Sequence, residues 1–229
     1  MSKKIIILFL LIAATVATQA GEYSKYRYRL PFRRNEGFLI YSVNLTGGVY
    51  SPKLDYFNDI YLPSSGVDET FKSNIFYGGN FSFILNGEYR FRVGLSYWGN
   101  KVNGPDEGLN EFKIGFTRMS LGVLYAPEFS YFSNGVQLYA GVEGYGYQIK
   151  NTVNMKSGSG VVTSSDQNGH DISIAPVFGI ERIFGKSLVL GAEFSYMLGS
   201  YDQSENVVSQ TQKVSINGPQ VTLSVGYKF

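Results

Sequence analysis

Residues 89–98 read YRFRVGLSYW, and their alternation decides the fold. Tyr89, Phe91, Val93, Leu95 and Tyr97 share one parity, while Arg90, Arg92, Gly94, Ser96 and Trp98 share the other. Strand side chains point to opposite faces with a period of two, so this segment is a strand with one apolar and one polar face. Working outward, the same pattern recurs seven times. Leu39, Tyr41, Val43 and Leu45 form the apolar row of the first strand. The others run through Phe81–Leu85, Met119–Tyr125, Val136–Val142, Ile174–Ile180, Leu188–Tyr196 and Val221–Phe229. The pattern predicts about eight strands.

The connections predict how these strands are joined. Asn86-Gly87, Asn134-Gly135 and Gly185-Lys186 suit tight hairpin turns, where Gly or Asn accepts positive φ. The stretches 51–74, 99–114, 150–170 and 199–213 read as long polar loops. Alternating long and short connections define an up-and-down antiparallel meander. Pro127, Pro176 and Pro219 fall within strand patterns and predict bulges or interrupted ladder bonds.

The start of the chain has the form of an export signal. Lys3 and Lys4 precede an apolar run from Ile5 to Ala14, and Thr18-Gln19-Ala20 offers a small-residue cleavage site. Residues 1–20 are therefore expected to be a signal peptide and 21–37 a basic, aromatic periplasmic segment, with the barrel over 38–229. With no cysteine, lipoprotein attachment, disulfides and thiolate metal sites are excluded. Without the two signal lysines the chain is formally neutral, which argues against a nucleic-acid partner.

Charge placement decides which solvent the faces meet. Arg90, Arg92, Arg118, Glu143, Glu181 and Glu193 all share parity with small or polar residues. An Arg or Lys at mid-depth on a lipid face costs ~2–4 kcal/mol, so consistent segregation points to charges inside and apolar rows in hydrocarbon. A secreted soluble barrel would carry abundant charge on its outer, polar face, and here that face is mostly Gly, Ser, Thr and Asn. The expected fold is all-β: a closed up-and-down antiparallel transmembrane β-barrel of about eight strands in the cell outer membrane. Only helices and closed barrels satisfy their backbone groups in lipid.

The terminal row Val221, Leu223, Val225, Tyr227, Phe229 resembles the C-terminal signal of outer-membrane barrels. Leu121–Pro127 with Phe129, Tyr131 and Phe132, then Gly141–Tyr145 and Gly191–Tyr196, resemble the small eight-stranded outer-membrane β-barrel domain common in Bacteroidetes. That domain is itself similar to the OmpX and OmpA barrels. The resemblance covers roughly 38–229 and implies that Tyr227 and Phe229 serve as an insertion signal for the barrel assembly machinery. It is nearly silent on activity. The peptidoglycan-binding part of OmpA-like function is not implied.

Candidate sites follow. The six interior charges read as a network filling a narrow lumen, because eight strands enclose little more than their own side chains. The competing reading is a small gated channel. His170, beside Asp171 and a few residues after Ser164 and Ser165, raises the alternative of a lipid-modifying enzyme, an acyl hydrolase or acyltransferase. A nucleophile, base and orienting group must be within reach for that chemistry, and adjacency in a Ser-rich loop does not supply it. No catalytic, metal or cofactor site is expected. The basic stretch 22–34 could meet anionic headgroups or a periplasmic partner, or could be a solvated tail. Leu54, Tyr56, Phe57, Ile60, Tyr61 and Leu62 make the first loop oddly apolar, as a cap over the mouth or a surface for a ligand or protein. The expected role is structural or surface interaction, with outer-membrane lipid or lipopolysaccharide as a partner and no open pore.

Overall fold

The computed structural model describes residues 38–85, 88–104, 108–126, 136–156, 160, 162–204 and 211–229. The signal peptide, the 22–34 stretch, the Asn86-Gly87 and Asn134-Gly135 turns, Pro127 and Phe129–Phe132 lie outside them.

The strands are β1 (Phe38–Tyr50), β2 (Asn74–Leu85), β3 (Tyr89–Asn103), β4 (Gly108–Tyr125), β5 (Val136–Lys156), β6 (Val162–Phe184), β7 (Leu188–Ser204), β8 (Thr211–Ser215) and β9 (Gly218–Lys228). Every pairing is antiparallel between neighbours, and β1 pairs with β9, so the sheet closes. The segments β8 and β9 are one strand in two pieces. Ser215 pairs with Ser200 and Gly218 with Met197, a single unshifted register, and Ile216 still donates to the Gly199 carbonyl across the break. The barrel therefore has eight staves, as the alternation predicts.

The two faces fall as the parity requires. Leu45, Met119, Leu121, Ile172, Phe178, Phe194 and Leu223 are exposed on the outside. Arg90, Arg92, Arg118, Glu143, Glu181 and Glu193 are all buried inside. One residue breaks the rule: Tyr41, assigned to the outward row of β1, is buried. A register shift between Ile40 and Ser42 inserts an extra residue and turns Tyr41 inward.

Aromatic rings bound the apolar wall at two levels. The Tyr89 and Tyr125 rings lie 5.3 Å apart at the end with the chain termini, and those of Tyr77 and Tyr97 lie 5.7 Å apart at the other. Tyr89 to Tyr97 matches the ~9–11 residues a tilted strand needs to cross a bilayer. A closed barrel with this belt is a transmembrane β-barrel. Among the described residues no helix is long and apolar enough to cross a membrane.

Beyond Tyr97 the strands continue. Three stretches expected as long loops are largely paired strand, and only 104–107, 157–161 and 205–210 separate their arms. The hairpins go on satisfying their own backbone groups outside the membrane, so no loop is needed there. Of the four, 51–73 is a loop among the described residues, with a π-helical turn (Tyr56–Tyr61) leading into a short helix (Leu62–Ser64). At the opposite end Gly185 takes φ +59° in the tight turn before β7. Pro176 coincides with a gap in the β6–β7 ladder between Ile174 and Val177, without any change of register.

Candidate functional site

The lumen is where the buried charges converge, and it has two storeys. In the lower storey Arg90 pairs with Glu181 at 2.9 Å, while Arg92 reaches Glu143 at 2.5 Å and Glu193 at 2.6 Å. Each carboxylate also accepts from a tyrosine hydroxyl: Tyr41 to Glu181, Tyr145 to Glu143, and Tyr139 to Glu193 at 3.1 Å. Arg90 further donates to Gln137 and lies under the Tyr41 ring, 4.0 Å from its centre. Every acid in the network thus has both a cation and a neutral donor, the condition under which a buried ion pair is tolerated.

Small residues make room for this network. A Cβ at Gly179 would come within 2.2 Å of the Tyr139 ring, and one at Gly122 within 2.6 Å of Glu143 Cγ. The frequent glycines of the inward rows are therefore a packing requirement for large polar side chains in a narrow cylinder. Among these side chains lies a cavity of about 60 Å³, lined by groups such as Asn44, Asn80, Arg92, Glu143 and Thr222. That is room for a few waters.

Arg118 departs from the pairing expected of it. It is inside and almost wholly buried, yet no carboxylate among the described residues is within ion-pair distance. It donates to Gln220 at 2.7 Å and Ser96 at 3.0 Å, and the Phe76 and Tyr50 rings lie 4.8 and 5.2 Å from its guanidinium carbon. One of its terminal nitrogens has no hydrogen-bond partner among the described residues. The charge is held by ring faces and amide oxygen.

Above Arg118 the interior is mainly apolar, with one buried amide pair in which Asn151 donates to Gln203 at 2.6 Å. Phe112, Ile114 and Phe116 continue its inward row on β4, Trp98 continues that of Arg90 and Arg92 on β3, and Met197, Tyr201, Val214 and Ile216 close the ring. The 51–73 loop folds over them. Phe57 packs edge-on to Phe112 with centroids 4.9 Å apart, and Phe71 meets the same ring at 5.2 Å. Leu54 and Leu62 have no exposure, while Ile60 remains exposed at the tip. Partial burial in this cap pushes the Tyr61 hydroxyl pKa up. Of the two readings left open for this loop, the cap is the one the structure shows. Sequence parity contained the signal for this upper core: counting back in twos from Arg118 lands on Phe116, Ile114 and Phe112.

The cap is sewn to the far end of the chain. The Lys53 and Leu54 amides donate to the Asn217 and Ser215 carbonyls, and Ser215 N–H donates to Asp55 Oδ1. Leu54 takes φ +46°, a left-handed conformation costly for leucine, and its buried side chain offsets that cost.

His170 is not in a loop. It lies exposed on the outward face of β6, opposite Gln148, and alternation turns Asp171 to the other face, where its carboxylate accepts from the Ile172 amide. The pair cannot serve as base and orienting group for each other. Tyr227 is half exposed on the outer wall with the Phe229 ring 5.0 Å away, and the Phe229 amide donates to the Tyr41 carbonyl. No group of three or more metal-ligating side chains occurs among the described residues.

No family model and no curated protein matches the chain in sequence. Solved structures do match in fold. Outer membrane protein OprG from Pseudomonas aeruginosa aligns over 85% of this chain and 98% of its own, with 14% identity and a TM-score of 0.55. A major outer membrane protein from Thermus thermophilus aligns over 83% and 98%, with 10% identity and a TM-score of 0.49. Neisserial surface protein A aligns over 85% and 100%, with 14% identity and a TM-score of 0.48. The fold is that of the small eight-stranded outer-membrane barrels.

Proposed function

We propose that this chain is an integral outer-membrane barrel with a structural or surface-interaction role, and that it is neither a pore nor an enzyme. The observation that carries this reading is the doubly blocked lumen. A paired polar plug surrounding a cavity of about 60 Å³ occupies its lower part and an aromatic core its upper part. A solute would have to break buried ion pairs and then pass Trp98, Phe112 and Phe116. The parts free to meet other molecules are the outer wall and the projecting hairpins. Tyr227 and Phe229 fit the role of an insertion signal for the assembly machinery, because their row ends the closing strand at the periplasmic rim.

The test is purified protein in planar bilayers, with heat-modifiable gel mobility as proof that the barrel is folded. Silence in single-channel recordings of folded protein is the expected result, and steady conductance steps would overturn it. Substituting His170→Ala is expected to leave lipid A acylation unchanged. A change there would restore the enzymatic alternative.

A further inference from the structure

Beside the cap stem the outer wall carries an open notch of about 490 Å³. It is lined by Leu198 and Ser200 on β7, Lys213 and Ser215 on β8, Asn217 just before β9, and Asp55. The notch lies over the break between β8 and β9. There the Ile216 carbonyl turns inward to accept from the Tyr50 hydroxyl, and the Gly199 amide donates instead to Asn217 Oδ1 at 2.8 Å. Ser200 and Ser215 stand directly across from each other, so short side chains face outward at this point.

Its depth is where the outer wall changes solvent. The outward row of β7 runs through Phe194, Tyr196 and Leu198, all exposed, and turns polar at Ser200 and Asp202. On the last strand Val221 and Pro219 give way to Asn217, Ser215 and Lys213. Tyr196 stands directly across from Pro219 at the upper edge of the apolar band. Lipid headgroups meet the wall at this border. The polar groups of the notch are largely uncommitted. The Ser200 hydroxyl and the Asn217 amide nitrogen make no hydrogen bond among the described residues. No carboxylate among those residues is within ion-pair distance of Lys213, although Asp202 stands directly across from it. Ser215 Oγ accepts from the Asn217 amide at 3.3 Å and keeps its proton to donate. Asp55 Oδ1 accepts from the Tyr56 and Ser215 amides, both at 3.0 Å, while Oδ2 lies 3.9 Å from Lys53 and can accept from a hydroxyl.

We infer that this notch holds the phosphorylated sugar headgroup of an outer-leaflet glycolipid. The inference rests on the outer-membrane reading above and names a partner within it. Lys213, Ser200, Ser215 and Asn217 bring one cation and three neutral donors, the set that phosphate oxygens accept from. A bare phosphate would leave its charge facing Asp55, whereas a phosphorylated sugar gives that carboxylate a hydroxyl to accept from. Below the notch, Leu198 and Tyr196 continue as an apolar track for the first carbons of an acyl chain. The donors on β7 and β8 are carried by paired strands, so little ordering is needed when a headgroup arrives.

For the test, full-length protein is refolded in detergent micelles, with heat-modifiable mobility as proof of folding. It is mixed with lipid A or with the same lipid stripped of its phosphates, and native mass spectrometry counts the lipid retained. Lipid A is expected to be held about tenfold more tightly than its dephosphorylated form. Lys213→Gln combined with Ser200→Ala is expected to abolish that preference. Lys101→Gln with Lys113→Gln, exposed lysines on β3 and β4, is expected to leave it unchanged. Equal retention of the two lipids by the native protein, or an undiminished preference in the Lys213 and Ser200 double variant, would sink the notch as a headgroup site. Displacement by millimolar glucosamine phosphate would also overturn it, by assigning the site to a soluble sugar phosphate. If no heat-modifiable barrel forms, the outer-membrane reading falls with it; a folded barrel without the preference removes the headgroup site alone.

Discussion

Below Arg118 the barrel interior is dominated by a lattice of arginine, glutamate and tyrosine, with a small apolar cluster of Leu124, Ala126 and Val177; above it, the same inward rows carry mainly phenylalanine, isoleucine, methionine and tryptophan, with the one buried pair of Asn151 and Gln203. The two storeys are built by different rules because their surroundings differ. The lower one is enclosed by a wall lying in hydrocarbon, where the apolar side chains face outward, and cross-lumen pairing of polar groups holds the staves together. The upper one stands clear of the bilayer between hairpins with polar outer faces. There the ordinary hydrophobic effect is available again, and the 51–73 loop closes an inside-apolar core like that of a soluble protein. One chain thus inverts its inside-outside polarity along the barrel axis.

The sharpest way to break this comparison is at Arg92, the shared cation of Glu143 and Glu193. Substituting Arg92→Met leaves two buried carboxylates without it and is expected to cost about 3–5 kcal/mol. The readout is the temperature at which the heat-modifiable band converts, or the urea midpoint. Adding Glu143→Gln and Glu193→Gln to the same chain is expected to recover most of the loss. If it does not, packing and not charge pairing governs the lower storey.

A change in the upper storey should behave differently. Phe57→Ala removes a ring packed on Phe112 and Phe71, and about 3 kcal/mol is expected. The loss should stay local, with faster protease cleavage within 51–73 and an unchanged conversion temperature for the barrel. Loss of the whole fold would show that the storeys are one cooperative unit.

Arg118, at the boundary, gives the smallest effect. With no carboxylate to orphan, Arg118→Met frees only Gln220 and Ser96 and should cost about 1 kcal/mol by the same gel assay. A cost as large as that of Arg92→Met would mean that an acid depends on Arg118 after all.

Much of this was legible in the residues because a strand's period of two ties burial to parity. The alternation of 89–98 carries the fold, and the inward placement of all six charges follows from counting positions. What escaped has physical causes. Polarity stands in for direction, so an apolar row reads as outward; Phe112 and Ile114, inside the stretch 99–114 that reads as a loop, alternate as cleanly as any lipid-facing row and yet point inside. Parity stays constant along a strand while the solvent beyond the wall changes, and only the first of these is local. The bulge at Tyr41 was invisible because nothing in Ile40-Tyr41-Ser42 marks an inserted residue. The reach of the hairpins was underestimated because their outward sides are polar, which reads as loop.

The stitching of Lys53, Leu54 and Asp55 to Ser215 and Asn217 sets an order of events. The partners of the cap's first residues lie on the final strand, about 160 positions later in the chain. Until that strand arrives, the stem of the cap has no docking edge and Leu54 nothing to compensate its backbone conformation. Sealing the seam between first and last staves and lowering the lid are therefore a single terminal act, and a chain halted before its end would be left open at the top.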